Sequence, residues 1–160
     1  MKKFLILFSV MLAMTACNTM TSAQRAERDA QIAQAVDKAL TKRHYTIDID
    51  MMYPTSGPAK RLQFGYILKV EGDTMTSYLP YFGTAYDAPY SGGNGLDFTE
   101  PIKEYKAEQV KKDKTRITIE VDHDNDHITY TLEIFDNGNV SLNVISTRRE
   151  PINFNGSLKY

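Results

Sequence analysis

Three stretches in the C-terminal third alternate apolar and polar residues so regularly that few folds can accommodate them. "TRITIEV" places Ile117, Ile119 and Val121 on one face, and "HITYTLEIF" does the same with Ile128, Tyr130, Leu132 and Ile134. "VSLNVIS" adds Val140, Leu142 and Val144. A period of two belongs to a strand buried on one side only. Between the last two lies "DNGN" at 136–139, whose Asn-Gly pair accepts the left-handed conformations of a type I′ hairpin turn. Each such strand leaves one apolar face to be covered, which a sheet does by curling into a barrel or stacking into a sandwich.

The rest of the chain extends this pattern. Tyr45, Ile47, Ile49 and Met51 alternate with Thr46, Asp48 and Asp50 as a half-buried strand, and "PTSGPAKR" reads as a loop. "LQFGYILKV" and "TMTSYLPYF" flank a tight "EGD" turn in which Gly72 can supply a positive φ. "LDF" and "IKEYKAEQV" are further strand material separated by Pro101, "KKDK" is a charged turn, and "PINFNGSLKY" closes the chain. Ahead of all this, the stretch from Ser22 to Tyr45 lacks Gly and Pro and carries Ile32, Val36 and Leu40 at four-residue spacing. That is one helix with a narrow apolar stripe, either packed on the domain or acting as a spacer. The expected fold is mainly β: one antiparallel meander of about eight strands, barrel-like or a sandwich, preceded by one N-terminal α-helix.

The first residues address the chain to the cell envelope. Lys2 and Lys3 precede an apolar run from Phe4 to Met14. That run is shorter than the roughly 20 residues a spanning helix needs, and it fits the apolar region of a signal peptide. It ends in Met14-Thr15-Ala16-Cys17, which resembles a bacterial lipobox with Met where Leu is usual. The expected organisation is a signal peptide over 1–16, a lipidated Cys17 with a tether over 17–23, and one helix-plus-β domain over 24–160. The alternatives are an ordinary signal peptide cut at an Ala-x-Ala-like site, or a cysteine buried in the core.

Cys17 is the sole cysteine, so no intramolecular disulfide can form and stability must come from packing. Loss of residues 1–16 leaves 17 basic against 20 acidic residues, with no basic face suited to nucleic acid.

The stretches "AQAVDKALTKRHYTIDID", "GDTMTSYLPYFGTAYDAPYSGGNGLDF", "EIFDNGNVSLNV" and "REPINFNG" resemble the domain-of-unknown-function family 4251, found in secreted proteins and lipoproteins of Bacteroidetes. The resemblance implies an envelope location in a two-membrane bacterium and a single domain, and brings no activity, cofactor or catalytic residues. "NTMTS" after Cys17 lacks the acidic run that often marks export to the surface of such cells, so the expected place is the outer membrane, facing the periplasm. Asp73-Thr74-Met75 is similar to the sites where such bacteria attach O-glycans, making Thr74 a candidate acceptor.

Several stretches invite a chemical reading. Asp122, Asp124 and Asp126 stand at positions 1, 3 and 5 of a calcium-loop pattern with Glu133 at position 12. His127 occupies the position that needs a turning Gly, and both flanks alternate as strands, so a solvated hairpin turn is the simpler reading. His123 and His127 form a pair with no third ligand for a transition metal. Asp48 and Asp50 share a strand face, but glycosidase carboxylates must stand about 5–9 Å apart across a cleft. His44 suits a helix end, "GGNG" at 92–95 precedes no helix, and no Gly-x-Ser-x-Gly elbow is present. No catalytic constellation and no cofactor site emerge.

What stands out is "YLPYFGTAYDAPYSGGNG" at 78–95. Tyr78, Tyr81, Phe82, Tyr86 and Tyr90 offer large rings with little entropy to lose, as binding surfaces do. They could equally close one end of the β-domain, with Pro80 and Pro89 ending edge strands. Whether Tyr81, Tyr86 and Tyr90 face outward decides between the two. The functional expectation is a lipid-anchored, non-enzymatic envelope module that binds a protein or a glycan. The alternatives are a barrel-type carrier of a small apolar ligand and an unrecognised hydrolase. The missing Trp removes the Gly-x-Trp signature that lipocalin carriers usually show.

Overall fold

The computed structural model describes residues 20–63, 65–84 and 95–159. Cys17, Tyr86 and Tyr90 therefore lie outside the described residues. Helix α1 runs Ser22–Thr41 and opens with a capping box: Thr21 accepts from the Gln24 backbone while the Gln24 side chain accepts from that of Thr21. Its two halves differ. Residues 21–31 are exposed throughout, whereas Val36 and Ala39 are buried and Ile32 and Leu40 pack against the same core. The apolar stripe begins only at Ile32, so the C-terminal half packs on the sheet while the first ten helical residues, about 15 Å, stay exposed.

Ten strands follow among the described residues: β1 His44–Pro54, β2 Lys60–Arg61, β3 Ile67–Glu71, β4 Thr74–Leu79, β5 Leu96–Pro101, β6 Glu104–Lys111, β7 Lys114–His123, β8 Asp126–Phe135, β9 Asn139–Ser146 and β10 Ile152–Lys159. All described pairings are antiparallel, in the order β5-β4-β3-β1-β10-β9-β8-β7-β6, with the two-residue β2 on β1 beside this path. This is a meander wrapped so that its first and last strands pair. Its seam falls between β5 and β6, which are joined by Ile102 and Lys103 alone. The curled sheet of nine strands makes a half-barrel, settling the choice between barrel and sandwich.

The inner faces fill the concavity. Ile47, Leu68, Met75, Leu79, Ile117, Ile119, Tyr130, Leu132 and Phe154 are fully buried. Tyr130 donates to the Ser77 hydroxyl at 3.2 Å, and Ser77 donates to the Leu96 carbonyl at 2.8 Å. This chain of bonds ties β8 to β4 and β5 across the interior and leaves the buried hydroxyls satisfied. At the seam, His123 of β7 stacks on Phe98 of β5 at 4.4 Å between ring centroids and bonds Glu100 at 2.8 Å.

The structure differs from the alternating pattern at four places. β1 carries a bulge between Ile49 and Met51, so Met52 is buried and Met51, the residue expected from strict alternation, is not. The stretch read as a loop contains β2, and "LQFGYILKV" becomes a strand only from Ile67. At the Asn-Gly turn only Gly138 has positive φ, 83°, and its amide bonds the Phe135 carbonyl, so this three-residue loop is not type I′. The hairpin with two residues of positive φ is instead β7–β8, with Asp124 at 48° and Asn125 at 64°. A two-residue loop with both φ values positive is the type I′ geometry.

Candidate binding site

Among the described residues the exposed aromatic side chains are Tyr53 on β1, Tyr78 on β4 and Phe82 just beyond β4. Tyr78 leaves β4 between the buried Ser77 and Leu79, so alternation turns it outward, 45% exposed. It pairs with Ile67 in the ladder and stacks on Tyr66, ring centroids 5.4 Å apart and planes 20° from parallel. Phe82 is 49% exposed, and the Lys60 ammonium sits 3.8 Å above its ring centre.

Tyr81 behaves differently. It packs partly buried against the core, and its hydroxyl donates to the carbonyls of Thr84 and Glu150. Glu150 also accepts from the Thr84 amide, while Arg149 donates to the Gly95 carbonyl at 2.7 Å. Both described ends of the tyrosine-rich stretch are thus fastened to residues 149–150. Among the described residues of the stretch, Tyr81 builds a corner while Tyr78 and Phe82 are exposed; Tyr86 and Tyr90, on which the choice also turned, lie outside them.

Beside Tyr66 opens a cleft of about 730 Å³ lined by Asp48, Asp50, Arg61, Gln63, Tyr66 and Ser157, with Leu62 and Gly65 among the remaining walls. Its origin lies in β1. On one side the ladder to β10 steps from Ile49↔Gly156 to Met51↔Asn155, leaving Asp50 as the extra residue. On the other side β3 has ended. The Ile49 amide now bonds the Tyr66 carbonyl at 2.9 Å, and the Leu62 amide bonds the Asp50 carbonyl at 2.8 Å. Between these bonds Gly65 takes φ 113°, a conformation that favours glycine, and a Cβ there would meet open space. Both neighbours of β1 are therefore irregular opposite residues 49–51, though still hydrogen-bonded to it, and the cleft opens over this stretch. Asp48, on the cleft wall, is ion-paired to Lys159.

The family model described as Domain of unknown function (DUF4251) matches residues 27–158. The chain belongs to this family. A crystal structure of a DUF4251 family protein from Bacteroides eggerthii is similar in fold, with a TM-score of 0.66 at 15% identity, covering 82% of this chain and 89% of that one. A search of curated proteins gave no match.

The remaining sequence candidates of this DUF4251 chain fall on separate sites. In the β7–β8 hairpin the register pairs Asp122 with His127 and His123 with Asp126. Directly paired residues share a face and neighbours along a strand oppose each other, so His123 and His127 stand on opposite faces. The three aspartates do not converge either. Asp122 is ion-paired to Lys103 and bonded to His127 Nδ1 at 2.8 Å, and Lys103 first, then His127, holds its carboxyl below the ordinary range. Asp124 sits in the turn, 3.4 Å from His123 Nε2. Asp126 is only 5% exposed and accepts from the Ser146 hydroxyl and from the amide and hydroxyl of Thr147. Glu133 lies up β8, bonded to Lys114 and Arg116, each at 2.8 Å, which lower its pKa. Among the described residues no group of three His, Cys, Asp or Glu side chains is placed to hold a metal ion.

Asp48 and Asp50, read as sharing a strand face, both line the cleft, with Asp50 displaced by the bulge. Thr74 is exposed at the start of β4, directly after the Gly72-Asp73 turn. The cleft residues Arg61, Gln63 and Tyr66 escaped the sequence reading. The available signal was Gly65, because a glycine inside strand-like sequence marks a bulge or a close approach.

Proposed function

We propose that this chain is a lipid-anchored, non-enzymatic binding module of the cell envelope, held in the outer membrane through acyl chains on Cys17 and facing the periplasm. The observation that carries the binding reading is the outward Tyr78, stacked on the half-buried Tyr66, together with the exposed Phe82, on a half-barrel whose described inner side chains are buried. Paired rings held by a rigid sheet present apolar area with hydroxyl edges and lose little entropy on contact. A carrier of an apolar ligand needs internal space, and here Tyr130, Phe154, Met52 and Met75 occupy the concavity. That packing favours a surface module over the carrier. For a hydrolase, nothing described brings a nucleophile, a base and an orienting group together.

The anchoring half of the proposal rests on the apolar run ending at Cys17 and on the exposed first half of α1, which suits a spacer between lipid and domain. Affinity capture from detergent-solubilised envelopes tests the binding half. The wild-type domain should retain specific components that a Tyr78→Ser/Phe82→Ser variant loses. Equal capture by both would remove the aromatic surface from the proposal.

A further inference from the structure

The cleft beside Tyr66 has the composition of a subsite for an uncharged saccharide, and we propose that it binds one. This rests on the binding-module reading and specifies its ligand. Sugars combine a rim of paired hydroxyls with apolar C–H faces, so their sites join planar hydrogen-bonding side chains to an aromatic ring. The cleft supplies a carboxylate in Asp50, a guanidinium in Arg61, an amide in Gln63, a hydroxyl in Ser157 and the Tyr66 ring, itself backed by Tyr78. The first three are flat groups able to engage two adjacent hydroxyls at once.

Charge selects the class. Asp48 is neutralised by Lys159, and the exposed Asp50 and Arg61 carry opposite signs on the same walls. A cleft balanced in this way gives no net attraction to an anionic or cationic ligand, and desolvating a charged one would be uncompensated. Shape agrees. About 730 Å³ of open cleft falls in the range of small-ligand sites, and Gly65 leaves its wall without a side chain. The bulge at Asp50 re-aims that side chain, as bulges beside binding sites do.

The test is calorimetric titration of the domain with neutral oligosaccharides of glucose, galactose, mannose, xylose and N-acetylglucosamine, alongside sialylated and uronic-acid-containing ones. Asp50→Asn, Gln63→Ala, Tyr66→Ala and a control, Ile145→Ser on exposed β9, are compared after circular dichroism has shown each folded. The proposal expects a neutral sugar to bind, each cleft variant to weaken it by about tenfold or more, and the control to leave it unchanged. It is overturned by binding of charged sugars alone, by neutral-sugar binding that ignores the cleft variants, or by no binding across the panel. In that last case, envelope capture that still depends on Tyr78 and Phe82 would leave the binding-module reading standing. Loss of both results would end that reading too.

Discussion

A Cβ on Gly156 would stand 2.1 Å from the Asp48 carbonyl oxygen. That approach brings β10 against β1 where β1 bulges, and the pairing of first and last strands closes the meander. One side-chain-free residue therefore supports both the curl of the sheet and the opening of the cleft.

Gly156→Ala must push these backbones apart. We expect a loss of about 2–4 kcal/mol, within the range of severe backbone clashes, measured by urea unfolding. A loss under about 0.5 kcal/mol, the ordinary surface value, would show that the strands yield freely.

Asp126 closes the β8–β9 end of the sheet by accepting three bonds from Ser146 and Thr147 while nearly fully buried. Asp126→Ala leaves these donors unmatched and should cost about 2–3 kcal/mol. Thermal unfolding should show the Asp126→Ala midpoint well below that of Asp124→Ala in the exposed turn. The reverse ranking would contradict the structural role given to Asp126.

Burial pushes the pKa of Tyr130 above the ordinary tyrosine value, and burial followed by the Tyr105 hydroxyl does the same to Tyr45. A pKa raised on folding means that the folded state holds its proton more tightly than the unfolded chain. The stabilisation is complete below the unfolded tyrosine value of about 10 and falls as pH rises through the folded values. Chemical unfolding between pH 8 and 11 should show stability declining above about pH 10, less steeply in Tyr45→Phe/Tyr130→Phe. Identical slopes would show that these hydroxyls do not carry the alkaline loss.

On the proposed anchoring, Cys17→Ala should abolish outer-membrane fractionation, because stable attachment needs two or three acyl chains and Cys17 is the sole cysteine. Intact mass of the wild-type protein should show the acylated polypeptide starting at Cys17. An additional hexose-series increment absent from Thr74→Ala would place a glycan on that residue. Membrane retention of a processed Cys17→Ala protein would contradict the anchor.

The strands from Ile117 to Val144 were legible because a one-sided strand writes its period directly into its side chains. The irregularity at residues 49–51 was not, because it depends on Gly156, far along the chain, and on β3 beginning only at Ile67. Outward positions of a strand and alternate ligands of a calcium loop also share the spacing i, i+2, i+4. Asp122, Asp124 and Asp126 carry this spacing, yet the ladder ends at His123 and Asp126, which leaves Asp124 in the turn and Asp122 alone as an outward strand position. Tyr78 and Tyr81 illustrate the same limit. One is exposed by alternation within β4, while the other is held by Glu150, whose proximity no local pattern announces.

The central claim, that the Tyr66–Tyr78 surface contacts a ligand, is tested most directly in the intact cell. A photo-cross-linking amino acid at position 78, with position 145 of the outer β9 face as control, reads contact at the side chain itself. The account predicts a discrete cross-linked species from position 78 and none from 145. Irradiated cells that give no adduct at 78, or the same adducts at both positions, would contradict it.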